Sequence, residues 1–175
     1  KYLLGNVHKQ ICPALTLVAS GGSSLAPAVH RELHALGWRV AIGYGLTETA
    51  PLLTINCSDP GKIGSVGTVI EGVDLRIDTK NDKSIGEVVV RGPNVFEEYW
   101  HLPEEDEKVF TSDGWFKTGD RGVLRDGYLY LKGRISTLIV TEGGKNIEPE
   151  TVEDAFLREP IIEEIGIFQE ENKLK

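Results

Sequence analysis

Two glycine loops, each directly behind a short apolar run, constrain this chain most. The first, SGGSS (20–24), follows LTLVA (15–19), and the second, GYG (43–45), follows VAI (40–42). Apolar runs of that length bounded by glycine read as buried strands. One helix lies between the loops. Ser24 or a neighbour caps it, Pro27 sits in its first turn, Val29, Leu33 and Leu36 recur at helical spacing, and Gly37 ends it. Strand, loop, helix, strand, loop is the rhythm of an α/β layer on a parallel sheet.

The pattern changes near Asp59-Pro60-Gly61. From Gly64 to Arg134 short apolar runs alternate with turns. A strand pair is expected around Glu71-Gly72, with further strands over 87–90 and 128–131. Asp126-Gly127, between Val123-Leu124 and Tyr128-Leu129, is a two-residue hairpin signal. This third reads as a small antiparallel β-barrel or sheet, making the whole a mixed α/β (α+β) chain. Beyond Gly133-Arg134 come a strand at 138–140, a Gly143-Gly144 turn, a helix from Pro149 to Pro160, and a strand at 165–168. The expected division is 1–60 for the α/β part, 61–134 for the antiparallel part and 135–175 for a further α/β unit. That last unit stops before it can bury both faces. With a start at Lys1 and no methionine in 175 residues, it reads as part of an internal piece of a longer protein.

A net charge of −8 removes the electrostatic footprint of a nucleic-acid binder. Cys12 and Cys57 lie far apart without CxxC spacing, which points to a reducing compartment rather than a disulfide framework or zinc site. No run approaches the roughly 18–20 apolar residues that a membrane helix needs.

Four groups of residues are suited to chemistry. In GYGLTET (43–49) the glycines allow a tight turn at a strand end, where α/β sheets place ligands, and Tyr44 can stack on a base. Thr47 suits a phosphate oxygen and Glu48 a divalent cation. Taken alone, the same residues read as a helix start, with Thr47 as cap and Glu48 in the first turn. Gly21-Gly22 can admit a ligand closely or simply connect strand to helix. Asp120, after Gly119, can accept hydrogen bonds from two ribose hydroxyls or close an Asx turn. Arg134 is a fixed positive charge at a seam, or an ordinary surface arginine.

Together, in order, the motifs GGSSLAP (21–27), GYGLTET (43–49), GEVVVRGPNVFEEYW (86–100), DGWFKTGD (113–120) and GRISTLIVTEGGKNIEPETVE (133–153) resemble the adenylate-forming superfamily. That superfamily holds acyl-CoA synthetases, luciferases and peptide-synthetase adenylation domains. The GGKN loop before a Pro-Glu helix start is most similar to the long-chain fatty acid–CoA ligase branch.

The resemblance implies an acid–thiol ligase using ATP, Mg²⁺ and CoA. A carboxylate attacks the α-phosphate of ATP to give acyl-AMP and pyrophosphate, and a thiol then displaces AMP. It implies that Tyr44 and Gly45 line the adenine site, with Gly21 and Gly22 beside it. Thr47 would contact the α-phosphate, Glu48 would hold Mg²⁺, and Asp120 and Arg134 would bind the ribose. Ser136 would be the hinge between a large and a small domain, where relatives carry Asp or Lys. Gly143 and Gly144 would belong to the loop that shapes the thiol tunnel. Arg121 stands where many relatives have leucine. The phosphate loop and adenylation lysine of the family fall outside these motifs, so residues 1–175 alone are expected to be inactive. The expected partners are small molecules (ATP, fatty acid, CoA) in the cytoplasm, with peripheral attachment to the inner face of a membrane left open. A carrier-protein acceptor and a non-catalytic nucleotide-binding remnant are the competing readings.

Overall fold

The computed structural model describes residues 10–57, 62–79, 84–140, 146–157, 159, 161–170 and 173–174. Its first sheet has the order β1 (Leu17–Ser20), β2 (Arg39–Tyr44), β3 (Thr54–Asn56), β4 (Thr68–Val69). β1 and β2 are parallel, joined through helix α1 (Pro27–Ala35), whereas β3 and β4 add antiparallel. The parallel layer expected from the strand–helix–strand rhythm is therefore this β1–β2 pair. Proline stands in the first turn of α1, and Gly37 follows its C-cap at φ 96°, a left-handed turn that favours glycine.

The second sheet is antiparallel, in the order β5 (Asp74–Asp78), β6 (Gly86–Arg91), β7 (Phe116–Arg125), β8 (Tyr128–Arg134). β5 and β8 lie at its two ends, so the expected barrel does not close. The strand pair expected around Glu71-Gly72 also resolves differently, because β4 and β5 flank that turn but join different sheets. The Asp126-Gly127 hairpin forms as read. Both residues have positive φ (51° and 78°), the requirement of a type I′ turn, and Arg125 pairs with Tyr128.

One core joins the two sheets. Tyr44 and Leu53 of the first pack with Val88, Val90, Phe116 and Leu129 of the second. Val88, Val89 and Val90 are all fully buried, as expected of a strand covered on both faces. The sheets are also bonded through backbone. The Val66 amide donates to the Leu129 carbonyl at 2.9 Å, and the Leu129 amide donates to Gly67 at 2.8 Å. Ser65, 1% exposed, completes this seam: its Oγ donates to the Leu129 carbonyl at 2.7 Å and accepts from the Gly67 amide at 2.9 Å. Ser65→Ala would orphan that buried amide. A loss of about 1–3 kcal/mol is expected, seen as a lower urea midpoint at unchanged slope.

Helix α2 (Pro103–Val109) lies between β6 and β7. After β8 the chain forms the antiparallel pair β9 (Ile139–Val140) and β10 (Asn146–Ile147), then helix α3 (Pro149–Phe156), which starts at its proline as expected. A strand expected over 165–168 is not formed. The Ile167 amide is taken by Glu153 Oε1 at 2.8 Å, and the pairing of β11 (Gln169–Glu170) with β12 (Lys173–Leu174) begins only at Gln169. Among the described residues no helix is long and apolar enough to cross a membrane, and Cys12 and Cys57 are exposed free thiols.

Candidate adenylate site

The C-terminal ends of β1 and β2 lie side by side, with Ser20 opposite Ile42. Both glycine loops emerge there, and a Cβ on Gly21 would sit 3.6 Å from the Gly43 carbonyl. Gly45 is fixed by a closer approach, since a Cβ there would lie 1.8 Å from the Pro51 carbonyl oxygen. Only glycine lets the returning chain pass so near.

The residues after Gly45 form a single 3₁₀ turn, Thr47–Thr49, rather than a helix capped by Thr47. Leu46 holds the N-cap position, and the Thr49 hydroxyl accepts from the Leu46 amide at 2.9 Å and donates to its carbonyl at 3.0 Å. Thr47 is left exposed and Glu48 half-buried. The loop after β6 clamps this turn. Asn94 Nδ2 donates to the Thr49 and Leu52 carbonyls (2.9 and 2.8 Å), the Phe96 amide donates to the Glu48 carbonyl (2.8 Å), and the Tyr99 hydroxyl donates to Glu48 Oε1 (2.8 Å). Burial, followed by the Glu48 carboxylate, pushes the Tyr99 hydroxyl up to about 12, so it remains a donor at neutral pH.

Asp120 is a strand residue of β7 and does not close an Asx turn. Gly119 at φ 74° and a register shift between Asp120 and Gly122 turn it out of the regular pleat. Both carboxylate oxygens are engaged: Oδ2 accepts from the Tyr44 hydroxyl at 2.7 Å, and Oδ1 from Arg134 Nε at 3.1 Å. Arg134 is the cross-strand partner of Asp120 in β8. Tyr44 is 9% exposed with its ring in the shared core, and burial followed by Asp120 raises its pKa. Beneath Asp120, the Thr118 hydroxyl accepts from the Asp120 amide (3.1 Å) and donates to the Val88 carbonyl (2.9 Å).

Tyr44, Asp120 and Arg134 thus form one bonded group drawn from three strands. Glu48 and Arg134 share a cavity of about 330 Å³ with Tyr99, Lys108, Lys117 and Glu87. Gly21, Gly22 and Thr47 are not in its wall. Ser136 lies exposed in the turn after β8, between two ties. The Ile135 amide donates to the Gly119 carbonyl (2.8 Å), and the Thr137 hydroxyl donates to Glu150 Oε1 (2.7 Å). Arg121, the departure from leucine, pairs with Glu148 at the start of α3 (2.8 Å, both largely buried). Gly143 and Gly144 fall outside the described residues. Sequence reasoning gave no role to Asn94, Tyr99, Thr118 or Lys117. Tyr99 and Asn94 lie within the GEVVVRGPNVFEEYW stretch and Thr118 and Lys117 within DGWFKTGD, but only the fold reveals what they face.

The bonded group, the glycine loops at parallel strand ends and a cavity wall carrying both carboxylates and cations are features suited to a nucleotide. The chain belongs to the AMP-binding enzyme family, whose model matches residues 3–100. The mitochondrial malonate–CoA ligase ACSF3 of Mus musculus is 33% identical over 88% of this chain and 31% of its own length. The long-chain-fatty-acid–CoA ligase FadD15 of Mycobacterium tuberculosis is 40% identical over 82% of this chain and 23% of its own. Among solved structures, an O-succinylbenzoate coenzyme A synthetase (MenE) from Bacillus subtilis, in complex with ATP and magnesium ion, superposes with a TM-score of 0.82. It is 31% identical and covers 99% of this chain and 38% of the synthetase. The chain therefore spans between 23% and 38% of the length of these relatives.

Proposed function

We propose that this chain forms one wall of the adenylate site of an ATP-dependent fatty acid–CoA ligase. The observation that carries the reading is Asp120, held by Tyr44 and Arg134 beside the parallel strand ends and next to the Glu48 cavity. In this reading the Asp120 carboxylate and Arg134 grip the ribose hydroxyls. The uncovered part of the Tyr44 ring meets adenine, with Gly21 and Gly22 leaving room for the base and Gly45 lining the site through its backbone. Thr47, exposed at the tip of its turn, reaches the α-phosphate.

The residues fit a hard divalent cation. Among the described residues Tyr99 is the one side chain donating to the Glu48 carboxylate, and it occupies Oε1, so Oε2 is available as an oxygen ligand. No cluster of three or more His, Cys, Asp or Glu able to hold a metal stands among the described residues. A single carboxylate suits Mg²⁺, which is commonly held by one or two carboxylates together with substrate phosphates. When bound, Mg²⁺ would neutralise charge on the phosphates during attack by the substrate carboxylate. The protein's share is positioning: Asp120 and Arg134 fix the nucleoside, and the clamped 3₁₀ turn fixes Thr47 and Glu48. In the thiol step Ser136 acts as the hinge, and Gly143-Gly144 as part of the thiol tunnel.

The fatty-acid assignment rests on the GGKN–Pro-Glu stretch and on the identity to the mycobacterial long-chain ligase. The malonate–CoA ligase relative marks the alternative acid class. The test is thioester formation by the full-length protein with ATP, offering fatty acids of graded length or malonate, and CoA or an acyl-carrier protein. Acyl-CoA from long chains is expected. Product from malonate alone, or on the carrier protein alone, would replace the substrate or acceptor named here. Residues 1–175 alone are expected to give no acid-dependent exchange of labelled pyrophosphate into ATP, and exchange at the full-length rate would contradict the reading.

A further inference from the structure

The loop between β6 and α2 holds more than the backbone of the 3₁₀ turn. It also fixes the one acidic side chain of that turn. Tyr99 comes 51 positions after Glu48, yet its hydroxyl lies 2.8 Å from Glu48 Oε1 on the wall of the same cavity. Tyr99 is held separately through its backbone and its ring. Its backbone amide donates to Asp106 Oδ1 of α2 at 2.8 Å, and its ring meets Phe96 edge-on at 4.7 Å. Phe96 in turn packs edge-on against the buried Phe116 at 5.3 Å. The hydroxyl is therefore delivered by a packed aromatic stack and not by a free side chain.

A glutamate on a single turn has three side-chain torsions to fix before it can act as a ligand. One directed hydrogen bond to Oε1 removes most of that freedom and leaves the other oxygen for the cavity. We propose that Tyr99 is a positioning residue, which orients the Glu48 carboxylate so that its second oxygen meets the cation accompanying the nucleotide. This rests on the nucleotide reading given above. Partners that orient a ligating carboxylate typically govern metal affinity by about 10–100-fold.

The test uses the full-length protein and binding alone, with no turnover. The affinity for α,β-methylene-ATP is measured by calorimetry with and without Mn²⁺, and the ratio is the coupling between metal and nucleotide. Tyr99→Phe removes one oxygen and keeps the ring packing. It is expected to cut that coupling about 10-fold while leaving the metal-free affinity unchanged. Glu48→Asp tests the same contact without touching Tyr99, because it draws the carboxylate back from the hydroxyl, and a similar loss is expected. Asp106→Ala loosens the loop but leaves the hydroxyl, and should largely keep the coupling. Unchanged coupling in Tyr99→Phe or in Glu48→Asp overturns the proposal. So does an equal fall in metal-free affinity, or a loss in Asp106→Ala as large as in Tyr99→Phe, since either makes the role structural. A wild-type protein that binds no nucleotide overturns the proposed function and this inference together, whereas unchanged coupling overturns this inference alone.

Discussion

Asp120→Ala is expected to lower AMP affinity of the full-length protein on the order of 100-fold or more, and to destabilise the fold by about 2 kcal/mol. The two effects have separate causes. Stability falls because the buried Tyr44 hydroxyl loses the acceptor 2.7 Å away, and an unsatisfied buried donor costs far more than one hydrogen bond gains. Loss of the Arg134 pair adds little, because the arginine side chain is 55% exposed and water screens it. Affinity falls because two charge-assisted hydrogen bonds to ribose are lost, each carrying about 1.5–3 kcal/mol. Asp120→Asn separates them. It keeps an acceptor for Tyr44 and so most of the stability, yet its weaker neutral acceptor should still lower affinity by about 10-fold. Calorimetric titration with AMP and thermal melts of the three proteins check this. Wild-type affinity in Asp120→Ala would mean that the ribose is held elsewhere.

Gly45→Ala should be the most damaging glycine substitution at the site. The added Cβ would meet backbone: the Pro51 carbonyl oxygen at 1.8 Å, its carbon at 2.7 Å and Leu52 Cα at 3.0 Å. No side chain can swing away, so the β2–β3 connection must move, and with it the turn carrying Thr47 and Glu48. A cost of about 3 kcal/mol is expected, the upper end for overpacking, or a fall in Tm of about 6–12 °C. Gly22→Ala is the control. Its φ of 82° carries a left-handed strain of roughly 1–2 kcal/mol, but nothing lies within 4 Å of the new methyl. Equal losses in the two variants would remove close approach as the reason for Gly45.

Local features carried much of the fold into the sequence. The β1–α1–β2 unit, the Asp126-Gly127 hairpin and the start of α3 at Pro149 each depend on residues within a few positions of one another. So does the strand over 87–90, which forms within β6. What failed to show depends on distant partners. Nothing near Val69 says that β4 joins β3 while β5 joins β6, and nothing near Ile167 says that Glu153 takes its amide. Barrel closure failed for the same reason, since it depends on how end strands meet.

The site divides in the same way. Tyr44, Glu48, Asp120 and Arg134 stand in recognisable motifs, and three of them prove to be bonded together. The contact between Tyr44 and Asp120 spans 76 positions and that between Tyr99 and Glu48 spans 51, so no spacing rule reaches either. Arg121 was visible only as a departure from leucine. Its partner Glu148 lies 27 positions away, across the turn that holds Ser136. The alternative of Thr47 as a helix cap fails because the residue that closes the turn, Thr49, lies two positions further on.

The most direct test of the central claim is a crystal structure of the full-length protein with AMP. Both ribose hydroxyls are expected within hydrogen-bonding distance of the Asp120 carboxylate and Arg134, with adenine between the Gly21-Gly22 loop and Tyr44 and the phosphate toward Thr47. AMP seated elsewhere, with the Tyr44–Asp120–Arg134 group untouched, would contradict the claim.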